Sequence, residues 1–262
     1  MDLNLRGKVA VITGGNSGFG KAIAAEFAEE GCRIAICGTK PEKTEAVRRE
    51  FAAAGHDVYA QVVNVARYEE VQDFADNVAA RFGRIDIWVN NAGIIINSPI
   101  LEVDPEDWMK VINVNLSSVM WGIKAAGNHM KERGGVILNS SSFSGRITIS
   151  TRASYAASKG GMNSLTKLAA GALAPYNIRV NAVAAGSVMT DIQAGRAPEE
   201  LEAIVSQISM RRMGTLKEIA QVYVFLASDA AGYITGEIVE VTGGKILLQD
   251  TGKPWQEKNG IN

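Results

Sequence analysis

The sequence predicts an α/β fold, a doubly wound parallel sheet in a single domain, and three observations carry that expectation. Short β-branched apolar runs alternate with longer stretches of helical periodicity along almost the whole chain. The first such run breaks into a glycine-rich turn that leads straight into a helical pattern. Strands separated by helices pair in parallel, because each crossover returns the chain to the edge it started from.

At 262 residues the chain is long enough for one large domain, 1–262, and no repeat, low-complexity linker or shift in composition divides it. Hydrophobic residues make up 47% and charged residues 21%, which excludes disordered and collagen-like classes. The formal charge is −1 and the cations are scattered, so neither nucleic acid nor an anionic membrane is an expected partner. No apolar run approaches the ~20 residues of a spanning helix, and Met1 to Lys8 lacks a targeting pattern; the expected location is cytoplasmic. Cys32 and Cys37 would lie along one strand, too far apart for a disulfide at about 3.3 Å per residue. Neither His56 nor His129 joins a cluster with metal-ligand spacing, so no metal is expected.

The elements follow in order. Lys8 to Thr13 is the first strand, and Gly14-Gly15-Asn16-Ser17-Gly18-Phe19-Gly20 opens the first helix. Glycines there permit a tight turn and let backbone N–H groups at the helix start approach a pyrophosphate, whose charge the helix dipole favours. Arg33 to Cys37 is the second strand, with a helix from about Glu42 to Ala54 after it. Dinucleotide folds that take NAD place an acid near the end of this strand to hold the ribose 2′-hydroxyl. Gly38 stands there instead, and Thr39 and Lys40 offer a hydroxyl and a cation to a 2′-phosphate, so NADP is preferred and NAD remains possible.

Val58 to Val63 and Ile85 to Val89 are further strands, with a helix from Glu69 to Phe82 between them, and Asn90-Asn91-Ala92-Gly93 closes the second at the carboxyl edge where ligands of such sheets bind. Asp104 caps a long helix begun by Pro105 and running toward Arg133, with Asn113 and Asn115 inside it, either solvent-facing or needed for hydrogen bonds. Gly135 to Asn139 is a strand that ends in Ser140-Ser141-Ser142. The helix from Ala153 to Ala174 carries Tyr155 and Lys159 on one face, where a cation favours the phenolate and makes the pair an acid/base. Ile178 to Val183 is a strand, 186–212 with its helix near Glu199 to Ile208 is a candidate substrate lid, and Leu216 to Ser228 is a helix. Ile234 to Val241 is the final strand, and 249–262 is a polar tail expected to be mobile.

Taken together, Thr13-Gly14-x-x-x-Gly18-x-Gly20, Asn90-Asn91-Ala92-Gly93, Asn115, Ser142 and Tyr155-x-x-x-Lys159 resemble the short-chain dehydrogenase/reductase family from Lys8 to Gly244. The resemblance implies a Rossmann-type fold and a homotetramer with the long helices and last strand as interfaces. It makes Tyr155 the acid/base, gives Ser142 a hydrogen bond to the substrate oxygen, and has Lys159 lower the tyrosine pKa while binding the nicotinamide ribose. Asn115 would anchor a water in a proton relay. Cofactor contacts are expected from Gly14, Asn16, Ser17, Gly18, Phe19, Gly20, Thr39, Lys40, Asn64, Val65, Asn90, Ala92, Gly93, Tyr155, Lys159, Gly186, Val188 and Thr190. Three positions depart from the family pattern: Asn64 where an acid is frequent, Ala185 where a proline is frequent, and Thr242 where an acid is frequent.

The implied function is hydride transfer between NADP(H) and a ketone, aldehyde or secondary alcohol. Ile94, Ile95, Ile96, Ser144, Ile149 and Val188 are the expected pocket lining, with Asn97, Arg146 and Arg152 as polar alternatives that suit sugar hydroxyls or an acid. An NAD-dependent alcohol or sugar dehydrogenase is the neighbouring reading. A non-catalytic, cofactor-responsive binding protein is the reading from another class, disfavoured because such a module does not require the full Asn115, Ser142, Tyr155 and Lys159 set.

Overall fold

The computed structural model describes residues 3–190, 193, 195–248 and 250–259. Strand β1 (Val9–Thr13) passes through the glycine turn into helix α1 (Gly18–Glu29), and β2 (Arg33–Gly38), α2 (Pro41–Ala53), β3 (Val58–Val62) and α3 (Tyr68–Phe82) repeat the unit. The second half runs β4 (Ile87–Asn90), α4 (Pro105–Ile112), α5 (Ser118–Met130), β5 (Gly135–Ser142), α6 (Ala153–Leu173), β6 (Ile178–Ala185), α7 (Pro198–Ser206), α8 (Leu216–Ala227), β7 (Ile238–Val241) and α9 (Lys253–Lys258). The seven strands make one parallel sheet in the order β3-β2-β1-β4-β5-β6-β7, a doubly wound, Rossmann-type arrangement as expected.

Helices cover both faces, so the strands are apolar on both sides rather than alternating. In β1, Ala10 and Ile12 join one core with Ile23 and Phe27 of α1 and Tyr223 of α8. Val9 and Val11 join the other, with Phe74 of α3, Ile123 of α5 and Met162 of α6. Cys32 and Cys37 are free and buried, and burial pushes both thiols up to about 12. No helix among the described residues is long and apolar enough to cross a membrane, and no His/Cys/Asp/Glu group there could hold a metal ion.

Four expectations change. The helix expected from Asp104 toward Arg133 is interrupted by a π turn over Asn113–Ser117, between α4 and α5. Asp104 does cap it, accepting from the N–H groups of Glu106 (2.8 Å) and Asp107 (3.1 Å). The serine run lies within the strand rather than beyond it: β5 extends to Ser142 because Ser140, Ser141 and Ser142 pair with Val183, Ala184 and Ala185, which lengthens β6 as well. The last strand is shorter than Ile234 to Val241. Gly236 adopts φ +80°, and 234–237 is held by a mixture of bonds: Gly236 N–H donates to the Val180 carbonyl (2.7 Å) and Ala182 N–H to that of Glu237 (2.8 Å), while Val180 N–H donates to Thr235 Oγ1 (3.1 Å) and Glu237 N–H to Asn181 Oδ1 (3.0 Å).

The described part of the tail carries a short helix and bonds the body of the domain. Helix α9 docks on the residues after α7, with Trp255 Nε1 donating to the Ser209 carbonyl (2.8 Å) and Thr251 Oγ1 to that of Ser206 (2.6 Å). Positions 249 and 260–262 of the expected tail, and 191, 192 and 194 of the expected lid, lie outside the described residues.

Candidate active site

The glycine turn at the end of β1 is shaped by what cannot fit there. A side chain on Gly20 would begin 2.2 Å from the Gly14 carbonyl oxygen, a backbone atom unable to swing aside. Gly14 itself has φ +65° and lies against Ala92, so the turn and the end of β4 close on each other. Thr13 Oγ1 completes the junction, accepting from the N–H groups of Asn91 (2.9 Å) and Ala92 (3.1 Å). The result is a concave backbone surface at a helix start, which fits the diphosphate of a dinucleotide. Ser17 is an exposed, extended N-cap whose side chain makes no cap hydrogen bond, Gly18 has open space about it, and Phe19 packs on the core.

Asn16 lies across Gly38. A Cβ at Gly38 would sit 2.0 Å from Asn16 Nδ2, which donates to Thr44 Oγ1 (2.9 Å), itself bonded to the Lys40 carbonyl (2.9 Å). The space that an acid would enter is therefore filled by a carboxamide, while Thr39 and Lys40 stay exposed beside it. Asn64 is exposed, and its Oδ1 accepts from the N–H of Ala66 (3.1 Å); the adjoining Val65 is buried. Asn90 closes β4. Its amide is buried in the sheet, accepting from Trp88 Nε1 (2.7 Å) and donating to Asn139 (2.9 Å), and Gly122 provides the room.

Beside the turn, the ends of β5 and β6 and the start of α6 bring the proposed catalytic groups together. Ser142 Oγ accepts the N–H of Ser144 (3.1 Å) and so caps the short 3-10 turn Phe143–Gly145. That turn packs on α6, where a Cβ at Gly145 would meet the Lys159 backbone at 3.1 Å. Ser141 adds a tie to the same helix, donating to Asn163 Oδ1 (2.6 Å).

Asn115 sits in the π turn, fully buried. Its side chain bonds the backbone of Ile94 twice, accepting from the N–H and donating to the carbonyl at 2.8 Å each. It also donates to Ser158 Oγ (3.3 Å), which donates to the Tyr155 carbonyl (2.7 Å). Of the two readings left open for this amide, hydrogen bonding is the one observed.

Lys159 is buried, and its ammonium donates to the Ser140 carbonyl (2.5 Å) while lying 5.5 Å from the centre of the Tyr155 ring. Burial lowers its pKa from 10.5 to about 8. Burial raises the Tyr155 pKa, opposed by a Ser142 hydrogen bond and by the charge of Arg152. At neutral pH the lysine still carries its charge, with the ammonium turned toward the Ser140 carbonyl. The raised pKa keeps the phenol protonated at neutral pH.

Residues that carry no local signal hold this arrangement. Tyr223 of α8 donates to Ser140 Oγ (2.8 Å), and Ser140 to Asn91 Oδ1 (3.4 Å); Asn91 Nδ2 donates to the Thr13 carbonyl (2.9 Å). The glycine turn and Lys159 are therefore joined through one serine. Only the paired asparagines after β4 and the serine run hinted at it in sequence. Gly93 is exposed, and Gly186 lies against Thr242, whose Cα a Cβ would meet at 2.8 Å. Val188 is buried and bridges Gly214, and Thr190 is partly exposed. Of the expected pocket lining, Ile95 and Ile149 are exposed (47% and 54%), whereas Arg146 is paired with Glu240 (2.9 Å).

A family model described as enoyl-(acyl carrier protein) reductase matches residues 14–245. A protein named 3-oxoacyl-[acyl-carrier-protein] reductase FabG from Staphylococcus aureus is 40% identical over 243 residues, which is 92% of this chain and 98% of that relative. One named 3beta-hydroxysteroid dehydrogenase 2 from Eggerthella lenta is 39% identical over 247 residues, 92% of this chain and 95% of its own. A crystal structure from Agrobacterium tumefaciens, provisionally named a gluconate dehydrogenase, superposes with TM-score 0.91 at 33% identity, covering 95% of this chain and 99% of that one.

Proposed function

The chain belongs to the short-chain dehydrogenase/reductase family of oxidoreductases, and on that premise we propose that it transfers a hydride between NADP(H), in preference to NAD(H), and a ketone, aldehyde or secondary alcohol. The observation that supports this most is the junction at Ser140, where the glycine turn, the Ser142 strand end and Lys159 are tied into one polar network. The bound nicotinamide supplies or takes up the hydride. This chain's residues manage the oxygen and its proton.

In reduction, negative charge builds on the carbonyl oxygen as the hydride arrives. Ser142 accepts from a backbone N–H, so its own proton is available to that oxygen. Tyr155, kept protonated by burial, donates the proton that completes the alcohol. Lys159 fixes the floor of the site through Ser140 and favours the phenolate left behind. Asn115 positions both Ile94 and, through Ser158, the backbone of Tyr155. In oxidation the same groups act in reverse.

NADP preference rests on the filled space over Gly38 and the exposed Lys40 beside it. The 186–212 segment serves as the substrate lid, and a homotetramer would cover the exposed Met120, Leu168 and Phe225; light scattering at working concentration tests it, and monomer mass refutes it. Buried reduced thiols suit a cytoplasmic setting. The relatives' names span an oxoacyl reductase, a hydroxysteroid dehydrogenase and a gluconate dehydrogenase, so substrate class does not follow from identity at this level. The deciding assay follows oxidation of NADPH with a broad panel of carbonyl compounds, parent against Tyr155→Phe. Turnover in the parent that the variant loses supports the reading. Cofactor binding without turnover on any carbonyl or alcohol leaves the cofactor-responsive binding protein in its place.

A further inference from the structure

Two cations approach the catalytic groups without an acidic partner. Arg152 is the residue before α6, three positions ahead of Tyr155, and its backbone bridges Ser98. Its Nε donates to the neutral Asn97 Oδ1 (3.3 Å), on the segment that Asn115 anchors at Ile94. Lys245 comes from the other side. The sheet register places Ala185 between Ser142 and Val241, and two residues beyond Ala185 the Ser187 hydroxyl receives the Lys245 ammonium (3.1 Å). Lys245 is fixed there by an antiparallel bridge to Ile208 and by the adjoining bond from Ile246 N–H to the Gln207 carbonyl (3.1 Å).

The contrast with neighbouring cations is informative. Arg146 is paired with Glu240 (2.9 Å), Arg196 with Glu200 (2.9 Å) and Arg212 with Glu218 (2.6 Å). Among the described residues no carboxylate bridges Arg152 or Lys245. Arg152 opens the helix that carries Tyr155, Lys245 reaches Ser187 just beyond the strand paired with Ser142, the Arg152 charge is felt at both the Tyr155 phenol and the Lys245 ammonium, and Lys245 is partly buried. Two like charges drawn together and partly desolvated are unfavourable alone and become favourable around an anion.

We propose that Arg152 and Lys245 form an anion subsite beside Ser142 and Tyr155, which selects carbonyl substrates bearing a carboxylate remote from the reacting oxygen. The inference rests on the hydride-transfer reading for its geometry but is tested separately from it.

The test uses oxo acids of increasing chain length, each paired with its neutral methyl ester, with NADPH and full-length protein. The ratio of kcat/KM for acid over ester should exceed unity, fall as salt rises, and drop about ten- to a hundredfold in Lys245→Gln, which keeps a donor for Ser187. Lys245→Arg and Arg152→Lys should retain much of the ratio. In parallel, calorimetry of acid and ester binding to the cofactor complex reads the subsite even without turnover. Preferential binding of the acid with no hydride transfer would sustain the subsite and sink the hydride-transfer reading. A ratio near unity by both measurements, or Lys245→Gln weakening cofactor binding while leaving the ratio intact, would overturn the proposal; the latter would assign the cation to the cofactor's diphosphate.

Discussion

The β1–α1–β2 corner and the β5–α6 corner of the same sheet edge are built on opposite principles. In the first, function is a matter of backbone: residues adjacent in sequence curl into a concave turn, and Gly20 is required because its missing Cβ lets the Gly14 carbonyl pass. In the second, groups from distant elements meet: Lys159 bonds the Ser140 carbonyl, Asn115 reaches the Tyr155 backbone through Ser158, and Ser142 caps the turn that packs on their helix. The backbone corner should fail by collision. The side-chain corner should fail by orphaned donors and displaced protonation.

The largest effect is expected at Tyr155. Tyr155→Phe removes one hydroxyl without changing packing, so kcat for carbonyl reduction should fall about 10²- to 10⁴-fold while the melting temperature and cofactor affinity hold; a fall of less than tenfold breaks the assignment of this corner to proton transfer. Gly20→Ala comes next and should act without touching chemistry. Its Cβ would stand 2.2 Å from Gly14 O, and the strain should cost about 1–3 kcal/mol or displace the turn, read as lost thermal stability together with weaker cofactor binding. A variant that binds cofactor normally would show that the turn is looser than its packing indicates.

Asn115→Ala should cost about 2 kcal/mol in denaturant unfolding, because it strips both polar groups of Ile94 of their partner. Retained stability would mean that the π turn does not depend on this amide. A smaller change of opposite sign is expected at Lys159. Its folded pKa is about 8 against an ordinary 10.5, so between those values the unfolded chain holds more protons and stability rises with pH. Below pH about 8 the buried charge is an undiminished cost, and Lys159→Met should be more stable than the parent near pH 7 by about 1 kcal/mol, with the gap narrowing toward pH 10. Melting curves across that range decide it. Smallest is Lys40→Ala, which should raise the KM for NADPH several-fold and leave that for NADH nearly unchanged, as befits an exposed cation. Equal effects would remove the 2′-phosphate contact.

The two corners also differ in how far the sequence disclosed them. Gly14, Gly18 and Gly20 sit between an apolar run and a helical period, so local pattern alone located the turn and the first crossover. Parallel topology followed from the alternation, and the observed sheet agrees. Spacing could place Tyr155 and Lys159 on one face, but it could not tell that the ammonium turns to Ser140, because that depends on a strand contributed by another part of the chain. Tyr223 was invisible for the same reason. The shortened last strand was missed because Gly236, at φ +80°, and the Thr235 and Asn181 side-chain bonds interrupt the ladder ahead of Ile238, which no period reports.

Asn16 across Gly38 has a consequence for how this protein can change. Installing an acid at 38 is the direct route toward NAD, yet its first carbon would fall 2.0 Å from Asn16 Nδ2 and dislodge an amide bonded to Thr44. A smaller residue at 16 clears that space beforehand. The two substitutions are therefore ordered: Asn16 has to yield before Gly38 can, and a lineage or a library that samples single changes will meet a barrier where the paired change finds a path.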